Sequence, residues 1–488
     1  MKRLFDNTPK KIGLYSYIFM GTLLILSSLF LNPWNHYLNA LLLILGAVGL
    51  YFFVVITVAD GNWLDIRGIF TAVWLGTLGL AALRLSGYQE PWQNMTWILC
   101  AVGYLMFQIG SNLGIFIGNK YIKRENARKP KWGGVEFAFA PNRLFAICVV
   151  TTLIGVSCFA INVAIMGFIP CFANDSNAYV NFYTKFHVFS VAATAVCGLC
   201  YYCIKTQKLS FVKKLILWIF ILYHLVLFPI LVVSRGVFVV SALAFTTVVF
   251  YLNKRKLWVL ILCVAFIAGT YMLMSNLRSL ADWQLNAIFE PNQITIGHEQ
   301  EPSNDATTDS ETEAATDPVR ENDGDFTFAL SPKLAFLYGY LTVSHDNFNE
   351  AVKNLEGYTW GVRQLAPFNV LLRQQWITDT IEKAEYYQVN IHLNTTNMMG
   401  IFYYDLHEIG VVIFMLLWSC LFGALQTMHL NFKGPFSLMI LGYVMAPVTL
   451  SFFAAWVDSF DLWMFCGTVL IFAVISCIHV KRNGNRIS

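Results

Sequence analysis

Two arginines stand where arginine is costly. Arg235 lies in Ser234-Arg235-Gly236, a short polar step between two long apolar runs, and Arg278 follows a third apolar run by four residues. A guanidinium at the edge of a hydrocarbon layer is expensive unless it finds a partner. Its planar fork stays charged at every relevant pH and grips phosphate oxygens in pairs. Two such groups at one depth make a pocket for an oxyanion, whereas either alone reads as snorkelling to lipid headgroups. Gly236 is expected to let the backbone turn tightly there. Further along, Tyr340, Tyr358, Trp360 and Trp376 are interleaved with His345, Asp346, Arg363, Arg373 and His392. Rings beside polar groups suit the faces of sugars, and they also serve as anchors at a membrane interface.

Membrane helices must position these groups. The chain has 488 residues, 57% hydrophobic and 13% charged, with a mean hydropathy of +0.56. Soluble domains carry about 25% charge, so the expected class is an all-α polytopic membrane protein. A span needs about 20 apolar residues. The stretches that qualify are 12–31, 37–58, 69–85, 95–118, 144–169, 187–204, 215–233, 237–252, 257–274, 409–428, 436–455 and 462–479. The basic start lacks a small-residue cleavage site, so the first stretch reads as a retained helix. With the N-terminus inside, 23 of the 33 Lys and Arg residues fall on the cytoplasmic side. The short outer loops then hold only Arg84, Lys185 and Arg235, which places both termini in the cytoplasm. Cys200 and Cys203 form a CxxC within a span and read as small apolar packers. His224 reads as a helix-packing residue, and Pro229 and Pro447 as kinks.

A polar interruption at 275–408 follows the ninth stretch and separates residues 1–274 from 409–488. It holds 20 of the 29 acidic residues. Its part 290–325 is acidic and poor in apolar anchors, and is expected to be a disordered spacer. The apolar segment 334–343 is too short to span and reads as an interfacial or re-entrant helix. No phosphate-binding GxxxxGK[ST], HExxH or EF-hand spacing occurs. No metal, cofactor or nucleic-acid partner is expected.

Several segments resemble the oligosaccharide repeat-unit polymerases, the Wzy-type O-antigen and capsule polymerases. Gly167-Phe-Ile-Pro-Cys-Phe172 is similar to that family's exit from the fifth span. Ser234-Arg235-Gly236 is similar to its SRG turn. The segments 340–349 and Gly357-Tyr-Thr-Trp-Gly361 resemble its loop motifs. The segment 395–410 resembles the start of a late span, with Leu406-His407 standing where the family more often has Phe-Gly. The resemblance covers roughly 168–428, and the order of the motifs is more specific than any one of them.

The resemblance implies a GT-C-like bundle of about twelve spans with one large outer loop carrying short interfacial helices. It implies a bacterial inner-membrane enzyme that joins repeat units carried on undecaprenyl pyrophosphate, among membrane lipids and with a possible separate chain-length regulator. The transfer would be inverting and metal-independent. Arg235 and Arg278 would hold the pyrophosphate. Asp346 and His345 are the first candidates for the base that activates the acceptor, with an ordinary solvated pair as the alternative, and Asp405 follows. Arg363, Arg373 and Trp360 are further substrate contacts. A flippase or secondary transporter is the main rival, opposed by the lack of any echo between the halves. A membrane ligase or acyltransferase acting on the same glycans is the third reading.

Overall fold

The computed structural model describes residues 8–87, 89–127, 135–139, 141–173, 182, 184–277, 295–296, 332–384, 386–389, 395–432 and 434–481. Among them, eight helices are long and apolar enough to cross a membrane: Ile12–Trp34, His36–Val58, Asn94–Tyr121, Asn142–Met166, Lys185–Thr206, Phe211–Leu231, Arg235–Leu252 and Met398–Leu430. Three shorter apolar helices, Ile66–Ala82, Pro435–Thr449 and Phe460–Ser476, and the 21-residue helix Leu257–Leu277 occupy the remaining expected positions. The chain is thus a helical membrane protein, and three of the twelve expected stretches fall short of full spanning length. Large apolar side chains such as Phe19, Phe30 and Leu45 are exposed on the first two helices, as a lipid-facing surface requires.

Two helices pack backbone to backbone. In Asn94–Ala127, Gly110, Gly114 and Gly118 recur every fourth residue, on one helical face. A Cβ on Gly110 would overlap Ser419 Oγ, one on Gly114 the Cys420 carbonyl oxygen, and one on Gly423 the Ser111 carbonyl. The contacts advance in the same direction along both chains, so Asn94–Ala127 and Met398–Phe432 run parallel. Small residues at this spacing let membrane helices approach closely enough for dispersion to hold them.

A buried ion pair fixes one end of this unit. Arg67 Nε lies 2.8 Å from Asp65 Oδ1, and Nη2 lies 2.8 Å from Oδ2. Arg67 Nη1 donates to Asn112 Oδ1, and Gln426 Nε2 donates to Asp65 Oδ2. The pair therefore ties the Ile66–Ala82 helix to both glycine-packed helices. Arg67, expected only as a cytoplasmic-side charge, is a buried structural group. Strand Val135–Phe139, from a segment expected on the cytoplasmic side, pairs antiparallel with Cys477–Lys481; the last helix therefore ends at Ser476, and residues 477–479, expected within the span, are strand.

The opposite end gathers the chain turns that concern function. The apolar segment 334–343 is part of a helix, Pro332–Asn354, of 23 residues. Its middle is buried against the end of Ile66–Ala82 and the start of Asn94–Ala127, so it is an integral part of the bundle and not a surface-lying helix. Short helices Ala366–Leu372 and Gln375–Glu382 follow. Thr295–Ile296 pairs with Tyr387–Gln388; the rest of the acidic stretch 290–325 lies outside the described residues. His224, in a π-helical stretch before Pro229, sits buried with Nε2 3.2 Å from Thr152 Oγ1.

Replacing Gly114 by Leu must force the two parallel helices apart, at a cost of about 1–3 kcal/mol or more. Thermal unfolding in detergent, followed by tryptophan fluorescence, should show a lowered midpoint for Gly114→Leu. Gly49→Ala, at a position with open space around it, should leave the midpoint unchanged.

Candidate active site

The Ser234-Arg235-Gly236 turn is built differently from the expectation. Gly236 lies within the first turn of the Arg235–Leu252 helix, and the residue in the left-handed region is Val233, at φ 53°. Ser234 caps the helix by accepting from the Val237 amide at 3.4 Å. The Trp456 ring lies beside Gly236, at 3.5 Å from where a Cβ would stand, an ordinary contact distance. Arg235 places its guanidinium carbon 5.4 Å from the Tyr340 ring centroid, within cation–π range. Tyr340 in turn stacks on Phe453 at 5.6 Å. Arg278 and His392 lie outside the described residues, so the expected pairing of Arg235 with Arg278 is not on view.

The Pro332–Asn354 helix carries a row of polar side chains, and the structure buries them. His345 is 0% exposed and Asp346 3%; they are not a solvated pair. Asn397 Oδ1 accepts from the Gly400 amide at 2.8 Å, which orients the amide so that its Nδ2 donates to His345 Nδ1 at 3.0 Å. His345 Nε2 then donates to Thr77 Oγ1 at 2.9 Å. Both ring nitrogens are occupied, and burial pushes the imidazole down to about 3, so it is neutral. Asp346 accepts from Trp92 Nε1 at 2.7 Å and from Gln89 Nε2 at 3.0 Å. Burial pushes its carboxyl up to about 7; these two donors and the Arg84 charge oppose the rise, and Glu350 adds to it. Asn349 Oδ1 accepts from the Gln93 amide and Thr96 Oγ1, at the start of the Asn94–Ala127 helix. Asn347 Nδ2 donates to the Thr395 carbonyl.

Asp405 sits where the Met398–Phe432 helix breaks. Leu406 (φ −149°) and His407 (φ 49°, ψ −137°) leave helical geometry. Position 407 is thus one that glycine would occupy without strain. The break frees the Tyr404 carbonyl, which accepts from the Thr359 amide at 2.9 Å. Asp405 is 0% exposed. Its Oδ1 accepts from Thr359 Oγ1 at 2.5 Å and the Arg363 amide at 3.1 Å, and its Oδ2 from Gln364 Nε2 at 2.8 Å. It therefore holds the 359–364 segment in place.

That segment presents Arg363 and Trp360. The Arg363 guanidinium lies over the Tyr404 ring at 5.1 Å, and its Nε is buried without a hydrogen-bond partner among the described residues. Trp360 is 72% exposed and left-handed (φ 56°), beside Tyr358 at 4.4 Å between ring centroids. Arg373 ends a short helix as an exposed left-handed residue.

A further element went unnoticed in the sequence. Residues 450–459 join the last two helices. Trp456 is left-handed (φ 57°), and Trp463 Nε1 donates to the Val457 carbonyl at 2.8 Å. Phe453 touches Tyr340, and Trp456 touches Gly236. Asp458 stands within reach of the Arg363 charge. An acidic residue in a short step between two apolar runs is the mirror image of Arg235, and the same criterion would have found it. Comparison of the chain with family models, with curated proteins and with solved structures gave no match.

The Asp346 carboxyl titrates near 7 in the fold and at about 3.9 when unfolded. The folded state therefore holds the extra proton between those values, and the contribution of this group to stability falls as pH rises from about 4 to about 7. His345, held neutral, gives the opposite slope below about 6.5. Because Asp346→Asn removes only the first effect, the melting midpoint should rise from pH 5 to about 6.5 in that variant, whereas in the wild type the two effects offset each other over that range and the midpoint should rise less.

Proposed function

We propose that the chain joins lipid-linked oligosaccharide repeats. Units carried on undecaprenyl pyrophosphate at the outer face of the bacterial inner membrane would be linked into O-antigen, capsule or exopolysaccharide. The observation that carries this proposal is the seating of Arg235 on Tyr340, which brings a guanidinium at the mouth of a spanning helix against the buried helix of the long polar segment. Arg363, with an unpartnered buried donor, sits on the segment that Asp405 pins.

In such a transfer the bond from the anomeric carbon to the pyrophosphate oxygen breaks, and negative charge grows on the diphosphate. Fixed guanidiniums in a partly dry site stabilise that charge without reorganising. Arg235 and Arg278 are assigned to the diphosphate, and Arg363 to a further contact with the substrate. The exposed rings of Trp360 and Tyr358 suit the apolar face of a sugar. The reaction is written as an inverting, metal-independent glycosyl transfer.

Deleting the gene should leave single repeats on the cell surface and abolish the polymer ladder. Arg235→Ala should do the same at normal protein level. Arg235→Lys should restore short polymer only, because it keeps the charge and loses the fork. A normal ladder with Arg235→Ala would remove this residue from the mechanism. Lipid-linked repeats trapped inside the deletion strain would point to a flippase instead.

A further inference from the structure

The transfer proposed above needs a base for the acceptor hydroxyl, and the carboxylates and imidazole singled out from sequence are poorly placed to supply it. Both ring nitrogens of His345 are taken. Asp346 is enclosed, with one donor on each oxygen. Asp405 is fully buried, with both oxygens holding the 359–364 segment. A base that must meet an incoming hydroxyl needs an oxygen that substrate can reach.

Asp458 meets this requirement. It is partly exposed, and no side-chain hydrogen bond from another described residue occupies its carboxylate. The charged groups acting on it are Arg363 and Asp405. Arg363 is near enough to be felt, yet the two form no ion pair, the described ion pairs being Asp65–Arg67 and those of Lys353 with Glu90 and Glu350. The loop that carries Asp458 also places Trp456 against the Arg235 turn and Phe453 against Tyr340. The left-handed Trp456 and the Trp463 hydrogen bond hold that loop in one shape, and strain of this kind collects at functional sites.

We propose that Asp458 is the base that takes the proton from the acceptor hydroxyl, an inference that rests on the glycosyl-transfer function. The acceptor O–H bond breaks and its proton passes to an Asp458 oxygen. The hydroxyl oxygen uses the freed electron pair to bond the anomeric carbon. The bond from that carbon to pyrophosphate breaks, and its electron pair stays on the diphosphate beside the arginines. Asp458 then releases the proton to water. Burial pushes the Asp458 carboxyl up to about 6, which suits a base that must be ionised at neutral pH and still hold a proton briefly.

The test uses membranes containing the full-length protein, supplied with lipid-linked repeats extracted from a strain that lacks the gene. Chain growth is followed on gels. Asp458→Asn should lower kcat by about 10²–10⁴-fold with KM unchanged, because binding does not need the proton acceptor. Asp458→Glu should recover part of the rate. The wild-type rate should rise with pH through about 6 and level off above it, and Asp458→Glu should shift that rise. An Asp458→Asn rate within about threefold of wild type, far short of the loss expected for a base, overturns the assignment, while a dead Arg235→Ala keeps the transfer function. Wild-type membranes that join no repeats overturn both. If Asp458→Asn fails to fold, the pH profile of Asp458→Glu decides, and an unshifted rise refutes the base.

Discussion

A polar side chain taken out of water must find a partner or cost several kcal/mol, and that constraint organises the functional end of this protein. The Pro332–Asn354 helix carries His345, Asp346, Asn347, Asn349 and Glu350 in six consecutive residues, and all five are buried. Glu350 is held by Asn349, Lys353 and Asn354 of its own helix, and the other four by groups from other parts of the chain. Thr77 comes from the third apolar stretch, Gln89 and Trp92 from the loop after it, and Asn397 from the start of the Met398–Phe432 helix. The helix is thus locked to the bundle by chemistry that no sliding or rotation could preserve. Tyr340, one turn earlier, is delivered to Arg235 as a result.

Much of the bundle was legible because apolar length is a blunt and reliable signal. All twelve expected stretches correspond to helices, although three, Ile66–Ala82, Pro435–Thr449 and Phe460–Ser476, are short. Ile66–Ala82 is short because it begins at the buried Asp65–Arg67 pair, and Pro435–Thr449 because it starts at one proline and stops two residues after Pro447. Those local causes are charge pairing and a missing amide, which hydropathy does not weigh. The long polar segment was harder. His345 and Asp346 look solvated when only their polarity is counted, since the partners that justify their burial are more than 50 residues away or on the far side of the interruption. Gly236 was expected to make the turn, but it lies inside the helix and the left-handed residue is Val233, a position that composition does not single out.

The candidate site was legible in part. Arg235 and Asp405 stood out as charges beside apolar runs, and both occupy organising positions. Asp458 satisfied the same criterion, in the short step between the stretches 436–455 and 462–479, and was passed over. Arg363 could not be ranked from sequence, because its significance lies in the backbone hydrogen bond to Asp405 and in the Tyr404 ring beneath its guanidinium.

The glycine-faced contact between Asn94–Ala127 and Met398–Phe432 has a mechanical implication. Two helices touching main chain to main chain have no side-chain rotamers between them to absorb displacement, so they tilt together as a single girder. One tip of that girder is clamped by Asp65, Arg67 and Gln426, and near the other lies the break at His407 with Asp405 beside it. The late helix therefore shifts with its partner as one body up to the break, while the buried Met398–Asp405 portion beyond it is anchored separately, by the Met398 amide on the Ser451 carbonyl and by the hydrogen bonds of Asp405.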